Sequence, residues 1–183
     1  METKDEGEMI TIVLEEVTRC RQELLKAAEV DRPLWRRIYV RSAFAAIEAC
    51  CEWMRETVYL YHGIHGAKHD QAKISALSGL RHSIGSKGEI VTARERTPFL
   101  HHVIFAMEVF AEHFTVPFKV DRGGTDWGRF TRAAAVRNRI THPKTGADLK
   151  ISEEECEDVY LANKWFQDSV YDVLEKTKHF DQP

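Results

Sequence analysis

The sequence predicts an all-α protein, an up-down bundle of four long helices with shorter helices between them. Apolar residues recur with helical spacing over most of the 183 residues. Helix-start and helix-stop residues fall between these stretches, and no run alternates convincingly between apolar and polar residues as a half-buried strand does. With 43% hydrophobic residues and neither a repeat nor a linker composition, residues 1–183 are expected to form a single domain.

The first two helices are predicted from apolar spacing and from a start signal between them. The first is expected to run from about residue 8 to about residue 30. Asp31-Arg32-Pro33 then marks a helix start, because proline is favoured in the first turn. The second helix is expected to continue to about Tyr61, where Gly63 and Gly66 end it.

The middle of the chain is expected to contain shorter elements and one long helix. Residues 67–84 are predicted as a short helix, and residues 85–88, Gly-Ser-Lys-Gly, as a turn. Thr97 followed by Pro98 is a strong helix start, with a capping hydroxyl before the proline. That helix is expected to reach about Phe114.

Two further helices complete the predicted fold. Thr125 or Asp126 is expected to cap the first of them. Ser152 with Glu155 three residues later forms a capping box for the last helix, which is expected to reach about Lys178.

Cysteines and tryptophans are expected in the core, since the four cysteines lack metal-binding spacing and the tryptophans fall in apolar helical patterns: Cys20, Cys50, Cys51, Cys156, Trp35, Trp53, Trp127, Trp165.

Residues 133–144, Ala-Ala-Ala-Val-Arg-Asn-Arg-Ile-Thr-His-Pro-Lys, carry the most concrete chemistry. Proline disfavours helical backbone in the residue before it, so the helix is predicted to end at His142. Arg137 lies five residues earlier, about 140° around an ideal helix, and release of the helix is what would bring the two side chains together. Asn138 is expected to hydrogen-bond a ring nitrogen of His142. Glu48 is expected on the surface, with tuning of His142 as the alternative.

Charge is unevenly distributed along a chain whose net charge is -3. A net charge of this size does not indicate that the protein as a whole binds nucleic acid or a membrane surface. The segment from residue 119 to residue 150 nevertheless has eight basic and three acidic residues, a local balance of +5. We therefore expect an anion-binding face here, whose basic side chains contact RNA phosphates: Arg129, Arg132, Arg139, Lys144. The alternative is that these residues form a solvated helix face.

This segment resembles the HEPN superfamily, whose hallmark is Arg, four to six residues, then His, at the end of the penultimate helix of an all-α bundle. Arg-Asn followed by His-Pro-Lys, a short loop and a capped last helix with Trp165-Phe166 is similar to the C-terminal half of HEPN proteins. Residues 41–48 are similar to the early helix that packs beside the motif. The resemblance covers about residues 35–61 and 127–174.

The resemblance implies a metal-independent endoribonuclease, often a toxin or a defence effector, with a site that forms across a dimer. Arg137, Asn138 and His142 would be its catalytic residues. RNA cleavage without metal needs a base, an acid and a cation on the phosphate. One histidine cannot be base and acid in one step, so a homodimer would supply two. No metal or cofactor is expected.

Two alternatives to a nuclease stay open. The first is a noncatalytic HEPN module that binds a nucleotide, RNA or a partner protein, and the second is a plain dimerising scaffold in which Arg137 and His142 only complement the helix dipole. HEPN toxins partnered by nucleotidyltransferases have a tyrosine two positions after the histidine. Lys144 stands there, which argues against that regulation and leaves an antitoxin protein possible as a partner.

Other features give weaker indications. The acidic N-terminal residues do not resemble a secretory signal, and no apolar run approaches the roughly 20 residues of a membrane span, so a cytoplasmic protein without membrane contact is expected. His62, His65 and His69 would suit a metal, but an exposed loop is the favoured interpretation. Of the adjacent His101 and His102, one is expected in the interior.

Overall fold

A computed structural model describes residues 3–64 and 66–177, with side chains from residue 8 onward. These residues are mostly helical and contain one small two-stranded sheet. The coarse prediction of a helical protein is therefore confirmed. His65 and the predicted end of the last helix at Lys178 lie outside the described residues.

The described chain contains six α-helices and two strands. In order they are α1 Thr3–Lys26, α2 Arg32–Tyr61, α3 Gln71–Ser78, β1 Leu80–Ile84, β2 Ile90–Arg94, α4 Phe99–His113, α5 Thr125–Thr141 and α6 Glu153–Thr177. A 3-10 helix, Gly146–Leu149, lies between α5 and α6. Five of the helices have 15 residues or more, and their arrangement as an up-down bundle stays a prediction.

Local sequence signals set most helix boundaries. The α2 helix begins at Arg32, inside the predicted start signal. The capping box of α6 is formed, since the Ser152 N–H donates to Glu155 Oε2 at 2.9 Å and the Glu155 N–H donates to Ser152 Oγ at 3.1 Å. These two bonds satisfy N–H groups that the first turn of a helix leaves without partners.

The prediction of a single helix over residues 67–84, with no strand, was wrong. Asp70 caps α3 by accepting the Lys73 N–H at 2.8 Å, and Gly79 ends it in the left-handed region at φ 63°. An antiparallel hairpin follows, in which Leu80 pairs with Arg94 and Ile84 with Ile90. Apart from the half-buried Leu80, every residue of both strands is exposed. Because neither face of the hairpin is covered, its sequence lacks the alternation that marks a half-buried strand.

The chain divides into two compact units, with the divisions falling inside α2, between α4 and α5, and inside α6. The first unit comprises the described residues up to Cys50 together with Val120–Asp172. The second comprises Cys51–Lys119 together with the described residues from Val173 onward. That residues 1–183 form one domain stays a prediction.

The first unit has an aromatic core around Phe130, which is fully buried. Its ring centroid lies 5.4 Å from those of Trp127 and Trp165, 6.3 Å from that of Phe44 and 6.5 Å from that of Phe166. Offset and tilted ring pairs at these distances add to the free energy gained from burying apolar surface. Trp127 is thus a core residue, as predicted, and the half-buried Trp165 packs against this core.

The second unit is organised by α4, which buries Val103, Met107 and Phe110 along one side. Trp53 lies 5.3 Å from Phe110 between ring centroids and covers part of that side. His113 continues the same spacing and is fully buried. In the sequence of α4, only this spacing indicates that His113 is buried.

All four cysteines are free, and three of them are buried: Cys50, Cys51, Cys156. Burial raises the pKa of the Cys50 thiol to about 11. A thiol in this environment is protonated and unreactive at neutral pH. Within the described residues, none of the helices combines the length and the apolar content that a membrane span requires.

Candidate functional site

The α5 helix presents the motif of Arg137, Asn138 and His142. Its buried side consists of apolar residues at helical spacing: Trp127, Phe130, Ala133, Ala134, Val136, Ile140. The helix ends at Thr141, and His142 has φ -124° and ψ 58°, outside the helical region, while its N–H still donates to the Asn138 carbonyl at 3.1 Å. The predicted release of the helix before Pro143 is confirmed.

The guanidinium of Arg137 is anchored from two directions within the first unit. Its Nη2 donates to Glu48 Oε1 on α2, forming an ion pair. Its Nη1 donates to Asn138 Oδ1 at 3.1 Å. The side chain is 23% exposed, so an edge of the cation meets solvent. Glu48 was expected on the surface or near His142, and its contact with Arg137 was not predicted.

His142 has different surroundings from Arg137. It is exposed, and its ring forms no hydrogen bond with another side chain of the described chain. The bond predicted between Asn138 and the imidazole is not formed, since Asn138 contacts Arg137 instead. The imidazole is thus open to solvent at the corner that follows α5, where a ligand or a second copy can reach it.

Arg139 holds this corner together. Its Nη1 donates to the carbonyls of Lys150 at 2.7 Å and Asp148 at 3.3 Å, and its Nη2 donates to Glu155 Oε1 at 2.6 Å. Three arginines of α2 also donate to carbonyls here, Arg41 to Ile140 at 3.2 Å, Arg36 to Ile151 at 2.9 Å and Arg37 to Leu149 at 3.5 Å. The chain after the motif is therefore fixed by side chains from two helices of the first unit.

The Asp148 carboxylate orders the turn that follows Pro143. It accepts the Thr145 N–H at 2.7 Å, the Lys144 N–H at 2.9 Å and the Thr145 hydroxyl at 3.1 Å. These hydrogen bonds, that of the Thr145 N–H above all, hold the pKa of Asp148 below its usual range. The charged carboxylate in turn keeps the backbone at Lys144 in one place.

The predicted RNA-binding cations are placed unequally. Arg132 forms a bidentate pair with Asp158 on α6, with N–O distances of 2.7 and 2.8 Å. Arg139 is occupied at the corner, as described. Lys144 is exposed and its ammonium has no partner within the described residues. Arg129 donates to Asp126 Oδ1 at 3.3 Å, so of the four predicted cations only Lys144 has no opposing carboxylate within the described residues.

The histidines expected in an exposed loop are not all exposed. The side chain of His69 is fully buried, so that expectation was wrong for this residue. Its Nε2 lies 3.3 Å from His113 Nδ1 and its Nδ1 lies 4.0 Å from Glu112 Oε1. Burial, opposed by Glu112, lowers the pKa of His69. Of the adjacent pair on α4, His101 is exposed and His102 is 19% exposed.

The function of the protein has to be inferred from the motif on α5 and the residue that follows it. No family model, curated protein or solved structure matches the chain. Among the described residues, no three histidine, cysteine, aspartate or glutamate side chains are grouped to hold a metal ion. What the first unit offers is an anchored guanidinium and an exposed imidazole five residues apart.

Proposed function

We propose that this protein is a metal-independent endoribonuclease of the HEPN type, whose helices form an up-down bundle and whose homodimer cleaves single-stranded or loop RNA. The observation that carries the proposal is the exposed imidazole of His142 on non-helical backbone directly after the helix that presents Arg137. The contacts of α2 give further support, since Arg41 and Glu48 both bind α5, as an early helix beside the motif would.

Cleavage requires the 2'-hydroxyl of a ribose to attack the adjacent phosphorus. A neutral His142 takes the hydroxyl proton while the O2'–P bond forms, and the P–O5' bond then breaks. The O5' oxygen leaves with a proton from a protonated imidazole. The products are a 2',3'-cyclic phosphate and a 5'-hydroxyl end, and no water or metal is consumed in this step.

Two imidazoles are needed at one phosphate, and each chain supplies His142 once. A symmetric dimer brings the same residue from both copies to one site, so that one is the base and the other is the acid. Such a dimer also fits a toxin or defence effector held inactive by an antitoxin protein in the cytoplasm. A second copy and RNA are thus the partners in this proposal.

Arg137 would stabilise the charge that builds on the phosphate oxygens. Its anchoring by Glu48 and Asn138 fixes the guanidinium before the substrate arrives, so little ordering is needed at the transition state. Asn138 acts in this account by positioning Arg137. Lys144, two residues after His142, supplies a cation to a neighbouring phosphate.

The alternative function is a noncatalytic HEPN module that binds a nucleotide, RNA or a partner protein. The observation that favours it is the pairing of Arg132 and Arg139 with carboxylates of α6, which removes two cations from the predicted RNA path. This alternative expects binding that Arg137→Ala weakens, with no turnover.

A cleavage assay with matched histidine variants tests the proposal. A labelled RNA with a single-stranded loop is incubated with the full chain in the presence of a chelator, and the product ends are analysed. We expect wild type and His82→Ala, a control in the exposed hairpin, to give 2',3'-cyclic phosphate ends. His142→Ala should give no product while circular dichroism shows unchanged helix content. Cleavage by His142→Ala at the wild-type rate contradicts the proposal, and wild-type binding without turnover favours the noncatalytic module.

A further inference from the structure

The second unit contains a cleft of about 800 Å³, which we call the arginine cleft. It is bounded by the end of α2, the end of α3, the hairpin and the start of α4. Its charged and imidazole lining consists of three arginines, two histidines and two glutamates: Arg55, Arg94, Arg96, His101, His102, Glu52, Glu95. A concave site of this volume lies within the range of pockets that hold small organic ligands.

Two arginines of the cleft have no internal counterion. The side chains of Arg94 and Arg96 are exposed and form no hydrogen bond or ion pair within the part of the chain that the structure describes. An arginine that is paired to a carboxylate has part of its charge offset and some of its hydrogen-bond donors occupied. Because these two are not, they are available to an anion that enters the cleft.

Arg55 is held at the inner wall of the same cleft. Its Nη2 donates to Glu52 Oε2 at 2.5 Å, and the side chain is only 21% exposed. Its Nε is buried and has no hydrogen-bond partner among the described residues. A buried donor without a partner costs free energy, and an acceptor on a ligand would remove that cost.

The backbone at Gly79 lies close against the guanidinium of Arg55. Gly79 has φ 63°, and a Cβ built on it would lie 2.3 Å from Arg55 Nη1. Any larger residue would both strain the backbone and displace the guanidinium. Gly79 therefore leaves room for one cation of the cleft to lie against the C-terminal end of α3.

The N-terminus of α4 adds a positive end to the cleft. Thr97 was predicted to cap this helix, yet the residue at the N-cap is Pro98 and no side chain caps the first turn. The first N–H groups of a helix have no intrahelical partners, and here no capping side chain accepts from them either. Thr97 and His101 line the cleft, so these donors and the helix dipole lie beside the two unpaired arginines.

Apolar side chains line another part of the cleft. Ala76, Leu80 and Phe105 contribute to its walls. Apolar and aromatic groups beside cationic ones suit a ligand with a flat ring at one end and a phosphate at the other. Inorganic phosphate alone would leave these walls in contact with water.

We propose that the arginine cleft binds a free nucleotide or a similar organic phosphate, with its phosphate at Arg94, Arg96 and the start of α4 and its ring toward Phe105. This site is separate in sequence and in unit from His142. Its occupancy does not depend on whether the protein cleaves RNA.

Calorimetric titration of the full chain tests this site with probes that differ in one group. AMP is compared with adenosine, which lacks the phosphate, and with inorganic phosphate, which lacks the ring. We expect AMP to bind one per chain, and both fragments to bind at least about tenfold more weakly, because each loses one part of the recognition.

Variants of the hairpin locate the binding. We expect Arg94→Ala/Arg96→Ala to weaken AMP binding by about a hundredfold, since two charge-assisted contacts are lost. Arg81→Ala is the matched control, because Arg81 is an exposed arginine on the same hairpin outside the cleft, and it should bind AMP as wild type does. Gly79→Ala should also weaken binding, with helix content checked by circular dichroism.

Three outcomes would overturn the proposal. They are absence of AMP binding to wild type, equal affinity for AMP and adenosine, and AMP binding that Arg94→Ala/Arg96→Ala leaves unchanged. A short single-stranded RNA is titrated in parallel. If RNA binds more tightly than AMP and depends on the same two arginines, the cleft holds polynucleotide phosphate and the free-nucleotide assignment is wrong.

Discussion

The arginines of the two units have opposite surroundings. On α5, Arg132, Arg137 and Arg139 are each paired with a carboxylate from α2 or α6. In the arginine cleft, Arg94 and Arg96 face solvent with no carboxylate partner in the described chain. The segment with the larger positive charge is thus the one whose cations are mostly neutralised.

This difference shows what a count of charges along the sequence can miss. The +5 balance of residues 119–150 indicated an anion-binding face. The neutralising groups Glu48, Glu155 and Asp158 lie up to 89 residues away from the arginines that they bind. An anion site needs cations that keep free hydrogen-bond donors after folding, and tertiary contacts decide which ones these are.

The largest effect should come from removing the arginine with the most internal contacts. Arg139→Ala removes hydrogen bonds to two carbonyls and one carboxylate, and we expect the free energy of unfolding to fall by about 2 kcal/mol. Arg94→Ala removes no internal contact and should change it by less than about 0.5 kcal/mol. Urea denaturation followed by circular dichroism measures both. Equal losses in the two variants would remove the distinction between the units.

A smaller effect is expected from the anchor of Arg137. Glu48→Gln removes the ion pair but keeps a side chain of similar size, so the guanidinium loses its fixed position. In steady-state cleavage of a short RNA we expect kcat to fall about tenfold, or 1.4 kcal/mol, with KM little changed. The pair is partly exposed and contributes about 1 kcal/mol to folding, so the denaturation midpoint should move little. A change in KM alone would show that Glu48 contributes to substrate binding instead.

The smallest effect concerns pH and the buried His69 beside His113, Glu112 and Lys73. Burial lowers the pKa of His69 in the folded protein, so the unfolded chain binds a proton first as the pH falls below about 6.5. Stability should therefore decline from this pH down to the lower pKa of the folded state. Lys73 lowers the pKa of Glu112, so that carboxylate loses its stabilising charge only at pH values below 4.5.

Thermal unfolding between about pH 8 and about pH 5 measures the effect of His69. The decline in melting temperature should be smaller in His69→Gln than in wild type, because the neutral amide has no proton to bind. The same decline in both proteins would show that His69 does not contribute to the pH dependence.

Local signals in the sequence predicted the helices and the corner of the site. Pro143 ended α5 at Thr141, and Ser152 with Glu155 started α6, because each depends on neighbours within one turn. The hairpin was missed for a physical reason. Its strands have no buried face, and only a buried face imposes alternation on a sequence.

Contacts between distant residues were beyond local reasoning. The burial of His69 follows from a contact with His113, 44 residues away. The sequence identified Arg137 and His142 as a pair, yet it did not show that Glu48 anchors one while the other stays exposed. Such partners become visible only when the helices are placed together.

The most direct test is to measure two activities, RNA cleavage assigned to the first unit and AMP binding assigned to the second, in a variant of each unit. RNA cleavage and AMP binding are measured for His142→Ala and for Arg94→Ala/Arg96→Ala. Our account predicts that the first loses cleavage and keeps AMP binding, while the second loses AMP binding and keeps cleavage. If either variant loses both activities with its helix content intact, or if neither variant loses any, the account is contradicted.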